Sequence, residues 1–538
     1  MTSRIAPVLA WALILVPATS PVQGQTPSSP IAASPLAPDT AANTRPLGVD
    51  EAIALGLQNN LGVQVNRFTP YVAQYESEAA WGAYDPMFRG DIAYGEQRLQ
   101  NSFVTNDPVE SEQLGGTAEV SALIPYWGGS LNVGFDGRRA ESNGSTESLS
   151  PRYDTGLTLG VTAPLLRGLI WNEAWTQVKV SKLAYQSQLD DFTTAVMDTV
   201  LSIITSYWDL VASQESVRVA EKSLESNHAL LEQTRVQYEV GVVSRVEVIQ
   251  AEAGVANSEF NLIVTRNEYM NAQDRLIADV LGSRLRADTT LRFNPTDNPA
   301  YVGVDPVDVS KAVQTAFENR PELASAGKRI QQGEVALKFA KNQRLPRFDV
   351  NFEYRTQGTV GTVQDTIFSS FDGYNPPTNV GGFGDTFDYY YQRGGPRELS
   401  AVGIVSIPIG NTTARKNVSR ARIELRQAES QITRLEQDII VSVRRSARGL
   451  LASAQGVEAA ERRRIAASEQ LRAEKIRLEH GESTPFDVLQ RERDLVDAES
   501  QKISALRAFR VSQANLQREE GTILSDRNVV IEQVRRLD

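Results

Sequence analysis

The side chains that most often carry out covalent, acid–base or metal chemistry are scarce in this chain. There is no cysteine, and the two histidines are His228 and His480. Without cysteine there is no thiolate nucleophile, no Cys-ligated zinc and no N-terminal cysteine to carry lipid, and an oxidising compartment is tolerated without disulfides. Neither histidine stands in a ligand-like cluster, so each reads as a solvated residue on a helix. Aspartate and glutamate are frequent, but they interleave with Lys and Arg around a formal charge of −11. That pattern fits solvated helix faces and argues against nucleic acid as a partner. No nucleophile–histidine pair, metal cluster or Gly-rich phosphate loop stands out. The expectation is a protein that is not an enzyme, with no cofactor, no metal and no catalytic residue.

Two short segments share a spacing that specifies backbone shape instead of reactivity. Gly241, Ser244 and Glu247 stand in Tyr238-Glu239-Val240-Gly241-Val242-Val243-Ser244-Arg245-Val246-Glu247-Val248-Ile249-Gln250. Gly481, Thr484 and Asp487 repeat the spacing in Leu478-Glu479-His480-Gly481-Glu482-Ser483-Thr484-Pro485-Phe486-Asp487-Val488-Leu489-Gln490. Glycine permits the left-handed residue that ends a helix. Ser244 and Thr484 are placed to N-cap the helix that follows, Pro485 suits its first turn, and Glu247 and Asp487 suit its positive end. Each segment therefore reads as the turn of a helical hairpin.

The elements that carry these turns come in two sets. Ala52, Asn59, Pro86, Phe88 and Tyr94 return as Ala312, Asn319, Pro346, Phe348 and Tyr354 at one constant offset (312 − 52 = 260). Val161, Ala163, Pro164 and Leu165 return as Val405, Ile407, Pro408 and Ile409, and Gly241, Val248, Ile249 and Gln250 as Gly481, Val488, Leu489 and Gln490. Matching prolines and glycines at constant offsets mark two copies of one unit. Each copy runs helix, strands, very long helix, turn, long helix. The first helices are expected at Val49 to about Ala83, with a kink allowed at Pro70, and at Val309 to about Asn342, with Pro321 in place of Leu61. The very long ones are expected from Glu173 to Val240 and from Ala414 to His480. Val196, Val200, Ile204, Tyr207 and Val211 form one stripe of the first, and Ile432, Leu435, Ile439 and Val443 one stripe of the second. A helix of that length extends roughly 100 Å. Its stripe needs a coiled-coil partner, and the helix beyond each turn supplies it.

Between the helices the period changes to two. Arg347-Phe348-Asp349-Val350-Asn351-Phe352-Glu353-Tyr354-Arg355 alternates apolar with polar residues, and Leu157, Leu159, Val161, Ala163 and Leu165 oppose Thr158, Gly160 and Thr162. A wide membrane barrel, with lipid on one face and water on the other, fits that alternation. Thr117–Ile124 and Ser130–Phe135, joined by Pro125-Tyr126-Trp127-Gly128-Gly129, add a hairpin to the first copy, giving four strands there and two in the second. The hairpin either joins the barrel or stands outside the membrane in a loop. Long outer loops are expected at Gln97–Gly116, Gly137–Tyr153 and Thr356–Pro396, the last with Tyr389, Tyr390 and Tyr391 near its end. At the N-terminus, Arg4 and the apolar run Ile5–Val16 have the layout of a cleavable signal peptide, with sites after Ser20 and Gly24 both fitting. The expected order is signal peptide 1–24, flexible leader 25–46, first unit 47–282, connector 283–306, second unit 307–521 and C-terminal tail 522–538. No later stretch approaches the length of a transmembrane helix, so the mature chain is soluble or crosses a membrane as strands.

Two turns of the form Gly-x-x-Ser/Thr-x-x-Asp/Glu-Val, with Ala163-Pro164-Leu165-Leu166-Arg167-Gly168 and Ile407-Pro408-Ile409-Gly410 before the long helices, resemble the TolC-like outer membrane efflux family from about Gly48 to Gly521. The resemblance implies an α+β fold: long coiled-coil hairpins forming a periplasmic α-barrel, plus antiparallel strands of a transmembrane β-barrel. It implies a homotrimeric duct embedded in outer-membrane lipid, met at its tips by a periplasmic adaptor and an inner-membrane transporter. Gly241, Ser244, Glu247, Gly481, Thr484 and Asp487 then become partner-binding and gating residues. This chain departs from the family where Gln490 replaces a second acid, and where Leu478 and Ser483 replace the tyrosine and arginine of the best-known tip lock. Closure must therefore use other contacts. A periplasmic adaptor, the main alternative, normally has one such hairpin, not two in register with strand pairs. A secreted enzyme finds no support in the residues above.

Overall fold

The computed structural model describes residues 44–530 apart from 101–107, 145, 300–302, 304–306, 367 and 392–395. The signal peptide, most of the leader and the end of the C-terminal tail lie outside the described residues. The described residues open with strand β1 (Thr44–Leu47) and helices α1 (Val49–Asn59) and α2 (Leu61–Ala79). Strands β2 (Met87–Gln100), β3 (Pro108–Leu123), β4 (Ser130–Ser142) and β5 (Leu149–Pro164) lead into α3 (Glu173–Glu239) and α4 (Arg245–Leu281). After strand β6 (Arg292–Pro295) the order returns with α5 (Val309–Asn319), α6 (Pro321–Gln343), β7 (Arg347–Val363), the short α7 (Asp385–Tyr391) and β8 (Arg397–Ser406). Helices α8 (Thr412–Glu479) and α9 (Pro485–Glu520) close it.

The long helices fall within two residues of their expected ends, at 67 residues for α3 and 68 for α8. The expected first helix of each half is instead two helices. Pro70 sits inside α2, and the break comes ten residues earlier at Asn60, whose side chain accepts hydrogen bonds from the Gly62 and Val63 amides. In the second half the break falls at Arg320, ahead of Pro321, which disfavours helical backbone at the residue before it. The stripe read on α3 is buried: Val196, Val200, Ile204, Tyr207 and Val211 pack with Ile53 of α1, Leu276 and Val280 of α4, Leu47 and Phe293. One stretch of α3 is long and apolar enough to cross a bilayer, contrary to the reading that none comes close, and half of it is buried in this packing.

The connector and both flanking segments take part in the same core. Residues 44–46, read as the end of the leader, form β1 together with Leu47 and pair in parallel with β6 of the connector. The Tyr207 hydroxyl lies 2.6 Å from Asp297 Oδ2 and 3.1 Å from the Leu47 carbonyl, tying both segments to α3. Ile523, at the start of the C-terminal tail, is fully buried in that cluster.

The remaining strands make one antiparallel sheet in the order β2-β3-β4-β5-β7-β8, and among the described residues β2 and β8 each pair on one side only. The hairpin β3–β4 is inside this sheet, hydrogen-bonded along its length to β2 and β5. Its turn lies at the helical end, where the Tyr126 ring packs edge-on against Trp175 of α3 at 4.4 Å between centroids. The strands run further than expected: much of Gln97–Gly116, Gly137–Tyr153 and the start of Thr356–Pro396 is strand, not loop. Cross-strand partners supply the backbone hydrogen bonds there, although the sequence has lost its apolar alternation.

Register shows that the two faces of the sheet differ. Phe88 pairs with Val120, Val120 with Val133, Val133 with Leu159, Leu159 with Tyr354, and Tyr354 with Leu399. Side chains in register share a face, and this one is apolar. The opposite face carries Arg89 across from Glu119, Asp136 bound to Arg355, and Glu353 across from Ser400. Phe88, Ile92, Leu399 and Val405 are exposed on the apolar side.

Candidate functional site: the hairpin tips

Both turns form where expected; the second uses its side chains as expected, and the first keeps its acidic residue in place but lacks the serine cap. Gly241 has φ +78° and Gly481 φ +73°, and a Cβ at either position would meet no atom within 4 Å. Backbone conformation, not crowding, selects glycine there. The Val242 amide donates to the Gln237 carbonyl at 2.8 Å, and the Glu482 amide to the Arg477 carbonyl at 2.8 Å, each closing the helix end. Thr484 and Asp487 form a capping box: Thr484 Oγ1 accepts from the Asp487 amide at 3.3 Å, while the Thr484 amide donates to Asp487 Oδ2 at 3.4 Å. Ser244 occupies the same position with extended backbone, yet its hydroxyl makes no capping bond. Glu247 is half-buried and stands in the first turn of α4.

The two tips are packed side by side. Leu230 of α3, Leu471 and Leu478 of α8, and Val488 and Leu489 of α9 form one buried cluster. Leu231, Ala251 and Val255 form its neighbour between α3 and α4. Gly254 lets α4 approach α9 closely, since a Cβ there would stand 2.7 Å from Leu489 Cδ2. Leu478 is thus a core residue, which explains an apolar side chain at that place.

A polar latch not foreseen from the sequence holds the second turn. Arg477 pairs with Glu474 at 3.2 Å and donates to the Glu482 carbonyl at 3.2 Å, while the Ser483 hydroxyl donates to Glu474. A basic residue in the last turn of a helix was the available signal. Gln490 donates to Asp494 at 3.4 Å. Just above, Glu492 of α9 is buried with Lys475 at 3.9 Å. Burial pushes its carboxyl above the usual range and the Glu499 charge adds to this, while Lys475 and Lys222 oppose it. The first tip is apolar outside: Val236, Val240, Val242, Val246 and Ile249 are all exposed. Together these features make a pair of helical hairpins with capped, partly apolar ends at the far side of the molecule's long helices from an amphipathic antiparallel sheet.

That combination is the architecture of an outer-membrane channel subunit. The family model of the outer membrane efflux proteins matches residues 117–282 and 312–522, and the chain belongs to that family. It is similar to outer membrane protein TolC of Salmonella enteritidis, 21 % identical over 407 residues, 75 % of each chain. In fold it resembles the CmeC outer membrane channel of Campylobacter jejuni (TM-score 0.62, 13 % identity, covering 88 % of this chain and 86 % of that one). It also resembles the outer membrane protein VceC of Vibrio cholerae (TM-score 0.60, 14 % identity, covering 88 % and 96 %). The chain is an outer-membrane efflux protein, and the periplasmic-adaptor alternative is set aside.

Proposed function

We propose that three copies of this chain form a continuous conduit, an outer-membrane β-barrel joined to a periplasmic helical tunnel, without catalytic chemistry of its own. The observation that carries this reading is a set of vacant faces that a second copy fills. Taking the two halves as copies of one unit, α6 corresponds to α2 and α8 to α3. Helix α6 packs against both α3 and α8. Helix α2 packs on α3 and leaves Leu61, Val65, Phe68, Val72 and Tyr75 exposed, a seam with steps of four and three that suits a coiled-coil neighbour. The corresponding neighbour is α8 of another copy.

The sheet edges follow the same rule. Strand β5 pairs with β7 within the chain, so β8 should pair with β2 of the next copy. In β5–β7, Val161 faces Phe352; their counterparts are Val405 and Ile92, both on the apolar face. Closing the ring this way leaves no free edge, which a membrane-spanning sheet requires. The tips carrying Gly241, Ser244, Glu247, Gly481, Thr484 and Asp487 then lie at the periplasmic end, where the exposed valines of the first tip offer an apolar surface to an adaptor. An inner-membrane transporter would deliver cargo through that contact.

The test uses the cysteine-free background. Cysteines at Ile92 and Val405 together, treated in cells with a short bifunctional thiol reagent, should yield dimer and trimer bands, while either cysteine alone should not. Monomers throughout would sink the register and the shared barrel.

A further inference from the structure

The apolar face of the sheet does not stay apolar to its outer end. One row beyond Phe135 and Leu157, Ile92 of β2 is in register with Gly116, Gly137, Thr155 and Gly358. From β3 to β7 this row offers lipid almost no side-chain surface. It is covered instead by residues 379–387, which return from the segment beyond β7 to the face of β4, β5 and β7. Phe383 sits on Gly137, where a Cβ would stand 3.3 Å from its ring, and meets Tyr153 edge-on at 6.3 Å. Phe387 stacks on Phe135 at 5.7 Å. Beneath this cover Thr155 and Val360 are buried.

The segment is attached by its backbone as well as by its rings. The Gly361 amide donates to the Asn379 carbonyl and the Gly381 amide to the Gly361 carbonyl, both at 3.1 Å, and Asn379 Nδ2 donates to the Thr359 carbonyl at 2.6 Å. These bonds occupy β7 beyond Thr356, where its pairing with β8 ends. Satisfied backbone groups are what a segment needs to lie against a membrane-facing surface. Within the segment Phe368 and Phe371 pack together with centroids 6.2 Å apart, and they remain 48 % and 65 % exposed, as Val380 is also exposed.

We propose that residues 368–391 are a membrane-contacting strap, which replaces the outermost rows of the sheet as the lipid-facing surface and presents Phe368, Phe371 and Val380 to outer-leaflet lipid. Continuity decides the occupant: the strap lies on the same apolar face that carries Phe88, Leu159 and Leu399, and extends that face outward. Its aspartates, Asp372, Asp385 and Asp388, fit the headgroup level, with aromatic rings reaching toward the acyl chains as in the aromatic girdle of a barrel. This rests on the outer-membrane barrel reading of the sheet.

The test places single cysteines at Phe371, at Leu159 on the apolar sheet face and at Glu398 on the polar face, in the full-length protein reconstituted in phospholipid vesicles. Each carries an environment-sensitive fluorophore, challenged with lipids spin-labelled near the headgroup and with aqueous iodide. The strap predicts that F371C and L159C lose most of their emission to the spin-labelled lipid, whereas E398C loses it to iodide alone. Iodide quenching of F371C with L159C still quenched by lipid would overturn the strap and leave the barrel standing. Quenching of F371C by neither agent would mean that another protein surface covers it, which also overturns the proposal. Failure of L159C to respond to lipid would reject the barrel reading itself.

Discussion

Glu492 is a buried carboxyl on α9 close to the tips, paired with Lys475 of α8. Its carboxyl is buried among α3, α8 and α9 and titrates above the ordinary glutamate range, because burial disfavours the charged form more than Lys475 and Lys222 favour it. A carboxyl with a raised folded-state pKa binds more protons folded than unfolded, so its contribution to stability falls as pH rises from the ordinary glutamate value of 4.5 through the raised value. Replacing the group by an uncharged isostere should remove that dependence. Glu492→Gln should match the parent in thermal midpoint near the lower end of that window and exceed it increasingly toward neutral pH. A parent more stable than the variant at neutral pH would show that the Lys475 pair outweighs desolvation. The Glu474–Arg477–Ser483 latch could not be read beforehand, because it depends on where the left-handed turn at Gly481 brings Ser483 back toward α8.

At the scale of elements, the hairpin β3–β4 is the feature with most consequence. Its strands were legible from Val120, Ala122, Leu131 and Val133, but their membership of the sheet was open. Pairing with β2 and β5 decides it, and the packing of Tyr126 on Trp175 puts the turn at the helical end. The turn itself tolerates little change, since a Cβ at Gly128 would stand 2.3 Å from the Gly168 carbonyl oxygen. Trp127 is the better probe, being 41 % exposed. A single cysteine at Trp127 should resist a membrane-impermeant thiol reagent in intact cells and react once the outer membrane is permeabilised. Rapid labelling of intact cells would place the turn outside and contradict the topology. The helix breaks teach a related lesson. Pro70 drew attention as a kink and lies inside α2, while Asn60 breaks the helix by capping the next one, a choice that local propensity does not announce.

For the whole molecule, the proposed assembly and docking lie in separate places. The exposed faces of α2, β2 and β8 would supply the trimer contacts, whereas the tips are at the opposite end of the long helices. Gly481→Val forces a β-branched residue into a left-handed conformation at a cost of about 1–2 kcal/mol, and should distort the tip without touching those faces. The expected outcome is trimers that still form, judged by cross-linking of I92C/V405C in the same background, with pump-dependent export reduced. Normal export with a distorted tip would remove the tips from the docking role. Since each chain contributes six strands to its sheet, the proposed trimer would close eighteen, a wider bore than the twelve of a four-stranded subunit.

Periodicity alone announced the long helices and the amphipathic strands. These are local signals: Val196, Val200, Ile204, Tyr207 and Val211 mark a buried stripe whatever they pack against, and Gly481 and Thr484 mark a turn whatever surrounds it. Tertiary structure decided what depends on partners distant in the chain. Ser244 and Thr484 look alike in sequence, yet only Thr484 has its hydroxyl in a cap. Residues 44–47 carry no strand signal until Arg292–Pro295 arrives beside them. The row Gly116, Gly137, Thr155 and Gly358 becomes meaningful only when four strands bring it together and Phe383 settles on it, because small residues specify a contact through the space they leave for another segment.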